Sequence, residues 1–147
     1  MKLTSDQERL LSQETLITVP FFDVDSMNIV WHGHYCKYLE VARCNLLDKI
    51  GYNYRDMKNS GFMFPVVDMQ IKYVQPLLFE QQLRIVATLV EWECRLDIRY
   101  KIFDALDNRV LTKASTAQAA VNASTQQMQF ACPAILIQQV NNLLEKS

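Results

Sequence analysis

Both histidines of the chain fall in one short stretch with two acids. "DVDSMNIVWHGHY", residues 23–35, carries Asp23, Asp25, His32 and His34. A carboxylate can attack a carbonyl directly or deprotonate a water, and an imidazole near it can move the proton. Cys36 follows at once and opens two further readings. A zinc site needs three converging protein ligands. At helical spacing, positions 32 and 36 share a face while 34 points elsewhere, and no further histidine exists to complete a set, so no metal is expected. A Cys36–His32 nucleophilic pair fits helical spacing, but nothing around Cys36 marks it as a thiolate. No GxSxG elbow surrounds Ser26, Ser60, Ser115 or Ser124, and neither GxGxxG nor GxxxxGK[ST] occurs. The two acids remain. Two apart on a strand they would share a face, unless a bend at the strand's end separates them. Their competing use is turn formation, which Asp favours.

The elements that must position these residues follow from periodicity. "TLITVPFFDVD" (15–25) reads as a strand rich in β-branched and aromatic residues, with Pro20 pointing to an edge or a bulge. Tyr35, Tyr38, Leu39, Ala42, Leu46 and Ile50 recur at three- and four-residue steps, which predicts a helix over about 33–50. Its wide apolar face predicts extensive burial, and Gly51 suits a left-handed C-terminus. "NYRDMKNSG" is a polar turn or short helix. Beyond Gly61 the period becomes two, through "FMFPVVDMQIKYVQP", "QQLRIVATLVEWE" and "CRLDIRYKIFD". Leu83, Ile85, Ala87 and Leu89 share one face. Cys94, Leu96, Ile98, Tyr100 and Ile102 alternate with charged residues, as in an antiparallel sheet with one wet face. After the turn "ALDNR", "VLTKASTAQAAVN" is a further strand whose small residues allow close approach. A C-terminal helix begins at Pro133 and covers 133–147. Residues 1–14 are a polar arm, flexible or a short helix capped through Ser5 and Glu8. One long buried helix on a curved antiparallel sheet of about five strands is a two-layer α+β domain.

Composition bounds the function. At 147 residues and 17.1 kDa the chain reads as a single domain, 1–147, able to bury its own core. A net charge of −1 without a basic block argues against nucleic acid and anionic membrane surfaces. Neither a signal-peptide core nor a membrane-length apolar run is present. Cys36, Cys44, Cys94 and Cys132 form no CxxC pair. The expectation is a cytoplasmic protein with reduced thiols.

"FFDVDSMNIVWHGHYCKYLEVAR", with "IKYVQPLLFEQQLRI" further on, resembles the hot-dog-fold thioesterases of the 4-hydroxybenzoyl-CoA thioesterase family. The resemblance implies hydrolysis of an acyl-CoA thioester to free acid and coenzyme A. Asp25 matches the family's catalytic carboxylate, acting as nucleophile or general base. His32 matches a histidine of the acyl-CoA branch, and the N–H at 32 matches the donor that polarises the thioester carbonyl. Asn28 stands where the family usually has Gly, a position Asn tolerates in a left-handed turn. Met27 stands where a small residue is usual and would narrow the site. Trp31, with Met27 and Asn28, falls on the substrate side, and Lys72 is assigned to the phosphates of coenzyme A. Phe62, Met63, Phe64 and Trp31 fit either an acyl pocket or plain core. The resemblance further implies homodimers joined through their sheets, commonly homotetramers, with active sites between subunits. Coenzyme A enters as part of the substrate, so no retained cofactor is expected. Two alternatives use the same fold. A hydratase or dehydratase usually carries a Gly and a His near the segment that reads "FMFPVV" here, and both are absent. A non-catalytic acyl-CoA-binding protein would be marked by the departures at Met27 and Asn28.

Overall fold

The computed structural model describes residues 2–146. Helix α1, Ser5–Leu10, starts from a capping box formed by Thr4 and Gln7. Thr4 Oγ1 accepts the Gln7 N–H at 3.2 Å, and Gln7 Oε1 accepts the Thr4 N–H at 3.0 Å. The cap therefore lies one residue before the expected Ser5–Glu8 pair, and Ser5 is already helical. Strand β1 spans Ser12–Thr18 and stops well short of Asp25. Pro20 precedes a 3-10 turn, Phe21–Asp23, so the aromatic pair expected in a strand sits in a turn instead. β1 hydrogen-bonds to one strand only, the edge position that Pro20 suggested.

Helix α2 spans Tyr35–Ile50 and is entered through a 3-10 turn, His32–His34. It ends at Gly51, whose φ of +89° is open to glycine at little cost. The remaining elements are α3 (Tyr54–Asn59), β2 (Phe62–Met63), β3 (Val66–Tyr73), β4 (Gln82–Glu91), β5 (Leu96–Asp104), β6 (Val110–Gln118), β7 (Val121–Asn122) and α4 (Ala134–Leu144). Pro133 is the N-cap of α4, one position before the first-turn place expected for it. The small-residue stretch after the β5–β6 turn is two strands, β6 and β7, and not one.

Five antiparallel strands form the main sheet in the order β1-β4-β5-β6-β3, and β2 pairs with β7 separately. Leu83, Ile85, Ala87 and Leu89 of β4 are fully buried, as are Leu96, Ile98, Tyr100 and Ile102 of β5. Cys94 lies before β5 and is exposed, so the alternation begins at Leu96. Tyr100 satisfies its hydroxyl against Thr116 Oγ1 at 2.8 Å. Helix α2 packs on β1 and β4 through Tyr35, Tyr38, Leu39, Ala42, Arg43, Leu46, Leu47 and Ile50. Its other side, with Lys37, Glu40, Val41, Asp48 and Lys49, faces solvent. Burial is therefore one-sided, because a two-layer domain covers a helix from the sheet side only. Arg43 is buried and donates through Nε to Tyr54 Oη at 2.8 Å, with Glu40 at 3.8 Å. No helix among the described residues is long and apolar enough to cross a membrane.

Candidate active site

Residues 23–31 fold into a small hairpin. The Trp31 N–H donates to the Asp23 carbonyl at 3.1 Å, Val24 bridges Val30, and the Asp25 N–H donates to the Ile29 carbonyl at 2.9 Å. The turn closes with the Asn28 N–H on the Asp25 carbonyl at 3.0 Å. Asn28 has a φ of +62°, the left-handed conformation expected of it. The hairpin is fixed from behind by the segment joining β3 to β4. Val30 donates to the Leu77 carbonyl at 2.8 Å, and Phe79 donates to the Asn28 carbonyl at 3.2 Å.

Asp25 sits at the exposed tip. Its Oδ1 accepts the N–H of Met27 at 2.8 Å and that of Ile29 at 3.3 Å. Its Oδ2 has no hydrogen-bond partner among the described residues. The turn-forming use of an Asp and the chemical use are thus compatible: one oxygen orients the group and the other is open.

The second arm of the hairpin runs straight into the start of α2. His34 donates its N–H to the Trp31 carbonyl at 2.9 Å. The N–H groups of His32 and Gly33 have no partner among the described residues. Free N–H groups at a helix start, aligned with its dipole, are suited to a developing oxyanion. The Trp31 ring lies 5.1 Å from the His32 ring and 5.3 Å from that of His34, centroid to centroid. It also lies over Gly33, where an added Cβ would fall 2.3 Å from an indole carbon. The absence of a side chain at Gly33 is what makes room for Trp31, a role the spacing of "WHGHY" did not announce. Tyr73, on the sheet edge, donates its hydroxyl to the His32 carbonyl at 3.4 Å.

Asp23 is buried at the root of the hairpin. Its Oδ1 takes Lys37 Nζ at 2.7 Å and has His34 Nδ1 at 3.9 Å, while Oδ2 accepts the Tyr38 hydroxyl at 2.7 Å. Burial works against its charge, but the hydrogen bonds from Lys37 and Tyr38 outweigh it and hold the carboxyl below its ordinary range. Burial and the bonded Asp23 carboxylate together raise the Tyr38 hydroxyl well above its usual value.

The hairpin therefore brings Asp25, Met27, Asn28, Trp31 and His32 into one exposed feature. Met27 is 71% exposed, so it stands clear of the core. Cys36 Sγ is turned to Met69 Sδ at 3.5 Å. Lys72 lies apart. It neighbours Tyr73 in β3 but points to the opposite face of the sheet, in register with Lys113 of β6, which is in turn opposite Lys101 of β5. These three lysines form no ion pair among the described residues. Phe62, Met63 and Phe64 line a cavity of about 370 Å³ with Tyr54 and Met57, and Trp31 is not part of it.

A family model described as the Thioesterase-like superfamily matches residues 19–138. A Bacillus subtilis (strain 168) protein named "Putative acyl-CoA thioesterase YneP" is 37% identical over 75 residues, 51% of this chain and 54% of that protein. A Thermosynechococcus vestitus protein named 1,4-dihydroxy-2-naphthoyl-CoA hydrolase is 25% identical over 95 residues, 63% of this chain and 65% of its own length. The match thus spans less than two thirds of either relative. The solved DHNA-CoA thioesterase of Staphylococcus aureus superposes with a TM-score of 0.78 at 22% identity, over 92% of this chain and 89% of that one, a likeness of fold.

Proposed function

Because the chain belongs to the Thioesterase-like superfamily, we propose that it hydrolyses an acyl-CoA thioester to a free acid and coenzyme A. One observation carries the reading. A carboxylate with one anchored and one open oxygen sits on the same short hairpin that delivers two unpartnered N–H groups at a helix start. Asp25 either attacks the thioester carbonyl, giving an anhydride that water then opens, or takes a proton from a water that attacks in its place. The negative charge gathers on the carbonyl oxygen, which the His32 and Gly33 N–H groups receive. Such donors typically contribute about 3–4 kcal/mol each to the transition state. The His32 imidazole stands at the helix start to supply the proton that the departing thiolate needs. Met27, Asn28 and Trp31 border the acyl end. The names of both sequence relatives refer to coenzyme A, which favours it over a carrier protein as the thiol. Lys72, with Lys113 and Lys101 in register beside it, is the group we assign to the phosphates.

The sheet edge supports assembly. β3 is an edge strand, and Val66, Val67, Met69 and Tyr73 along it are exposed apolar or aromatic side chains. An unpaired edge of this kind is a template for pairing with another strand. We therefore assign it to a homodimer, with tetramers built from such dimers and the sites between subunits. Four free cysteines suit the reducing cytoplasm, where we place the enzyme.

The test is release of free thiol from a panel of short, long and aromatic acyl-CoAs, with wild type beside Asp25→Asn. Turnover of at least one ester by wild type, lost in the variant, supports the reading. Tight binding of every ester with no turnover would make the protein a binder, and release of water from a 3-hydroxyacyl ester without free thiol would make it a dehydratase.

A further inference from the structure

We propose that Asp23 is a positioning residue for this hydrolysis, clamping the root of the Asp25 hairpin to the start of α2. The inference rests on the function proposed above. Asp23 contributes to both arms of the hairpin and to the helix at once. Its carbonyl accepts the Trp31 N–H at 3.1 Å, which closes the hairpin. Its carboxylate takes Lys37 and Tyr38, both at 2.7 Å and both in the first turn of α2, with His34 of the 3-10 turn at 3.9 Å. The attacking carboxylate of Asp25 lies two residues after Asp23, and the carbonyl donors lie one and two residues after Trp31. Any looseness at Asp23 therefore enters directly into the separation between attacker and donors. Charge-assisted bonds to a buried carboxylate hold their geometry better than neutral exposed ones. At 3% exposure Asp23 cannot itself meet substrate, so its influence must pass through what it holds.

A misplacement of about 1 Å at a reacting centre costs on the order of 100-fold in rate. The isosteric Asp23→Asn should accordingly lower kcat by about 10- to 100-fold while KM for the acyl-CoA stays nearly constant. Lys37→Met and Tyr38→Phe should each give a smaller loss, and Lys37→Arg should retain most of what Lys37→Met loses. Amide hydrogen exchange supplies a readout independent of turnover. In Asp23→Asn the Asp25 and Trp31 amides should lose protection by a larger factor than those of β4 and β5. A kcat within twofold of wild type overturns the proposal. So does a fall in kcat with the hairpin amides still protected, or exchange accelerated by the same factor in the hairpin and across the sheet. If Asp23→Asn fails to fold, the Lys37 and Tyr38 single variants decide on the same criteria. If wild type turns over no acyl-CoA, the hydrolase reading fails, and the exchange experiment still decides whether Asp23 is the clamp.

Discussion

At the root of the hairpin, Asp23 is 3% exposed and faces Lys37, Tyr38 and His34. At its tip, Asp25 is exposed and meets only the backbone N–H groups of Met27 and Ile29. The same residue type, two positions apart, is committed to holding in one place and left available in the other. A carboxylate with every oxygen bonded is a good anchor and a poor nucleophile. One with a free oxygen and a fixed orientation can react. Separating the two lets the Asp25 carboxylate stay near water without the hairpin losing its footing.

The contrast breaks most visibly at the tip. Asp25→Asn should cost about 10²- to 10⁴-fold in thioester hydrolysis. An Asn at that position still offers one oxygen to both N–H groups, so thermal melting should be nearly unchanged. Full activity in that variant would remove Asp25 from the chemistry. At the root the effect should fall on stability. Asp23→Asn should lose about 1–3 kcal/mol by urea titration at neutral pH. The folded carboxyl is held below its ordinary range, so its contribution is present above the unfolded value near pH 4 and is lost as pH falls through the lowered folded value. The gap between wild type and variant should therefore close on acidification. A gap that widened with acid would contradict the ion-paired root.

Smaller effects sharpen the boundary between the two regions. Asn28→Ala places an ordinary side chain at a φ of +62° and should cost about 1 kcal/mol, whereas Asn28→Gly should be close to neutral. Equal melting of the two variants would mean the turn has relaxed elsewhere. Smallest of all should be Tyr73→Phe, which removes one long 3.4 Å bond at an exposed site and should cost under about 0.5 kcal/mol. A larger loss would mean that the sheet edge, and not Asp23, secures the helix start.

Burial explains which features were legible in advance. Alternation in β4 and β5 and the three-to-four spacing of α2 are enforced by a core that tolerates no slip, so the apolar pattern reports them directly. Gly51 was readable because a left-handed backbone selects few residue types, and Asn28 through the resemblance that puts Gly at its position. The region from Pro20 to Asp25 has a strand-like composition but forms a 3-10 turn and a hairpin arm, since aromatic and β-branched residues serve equally well in a hairpin braced from behind. The apolar pattern of α2 overstates its burial, because composition cannot tell which side of a helix lacks a partner. The partners that grip Asp23 were invisible for a different reason. Lys37 and Tyr38 lie 14 and 15 residues away from it, and only the return of α2 over the hairpin brings them there. Gly33 gave no signal, because its role depends on where the Trp31 ring comes to rest.

The lysine row on the outer sheet face responds to salt in a way the hairpin root does not. Lys72, Lys113 and Lys101 occupy adjacent strands in register, about 5 Å apart from strand to strand. That spacing is shorter than the Debye length of about 8 Å at physiological ionic strength. In dilute buffer the three charges repel as a unit, and each added increment of electrolyte relieves part of that repulsion. The Asp23–Lys37 pair, whose carboxylate is buried while the ammonium is half exposed, is screened less. Ionic strength thus acts most strongly on the lysine row and less on the hydrogen-bonded, buried carboxylate of Asp23, so a salt titration separates the repulsion of the sheet from the grip of the hairpin without changing a single residue.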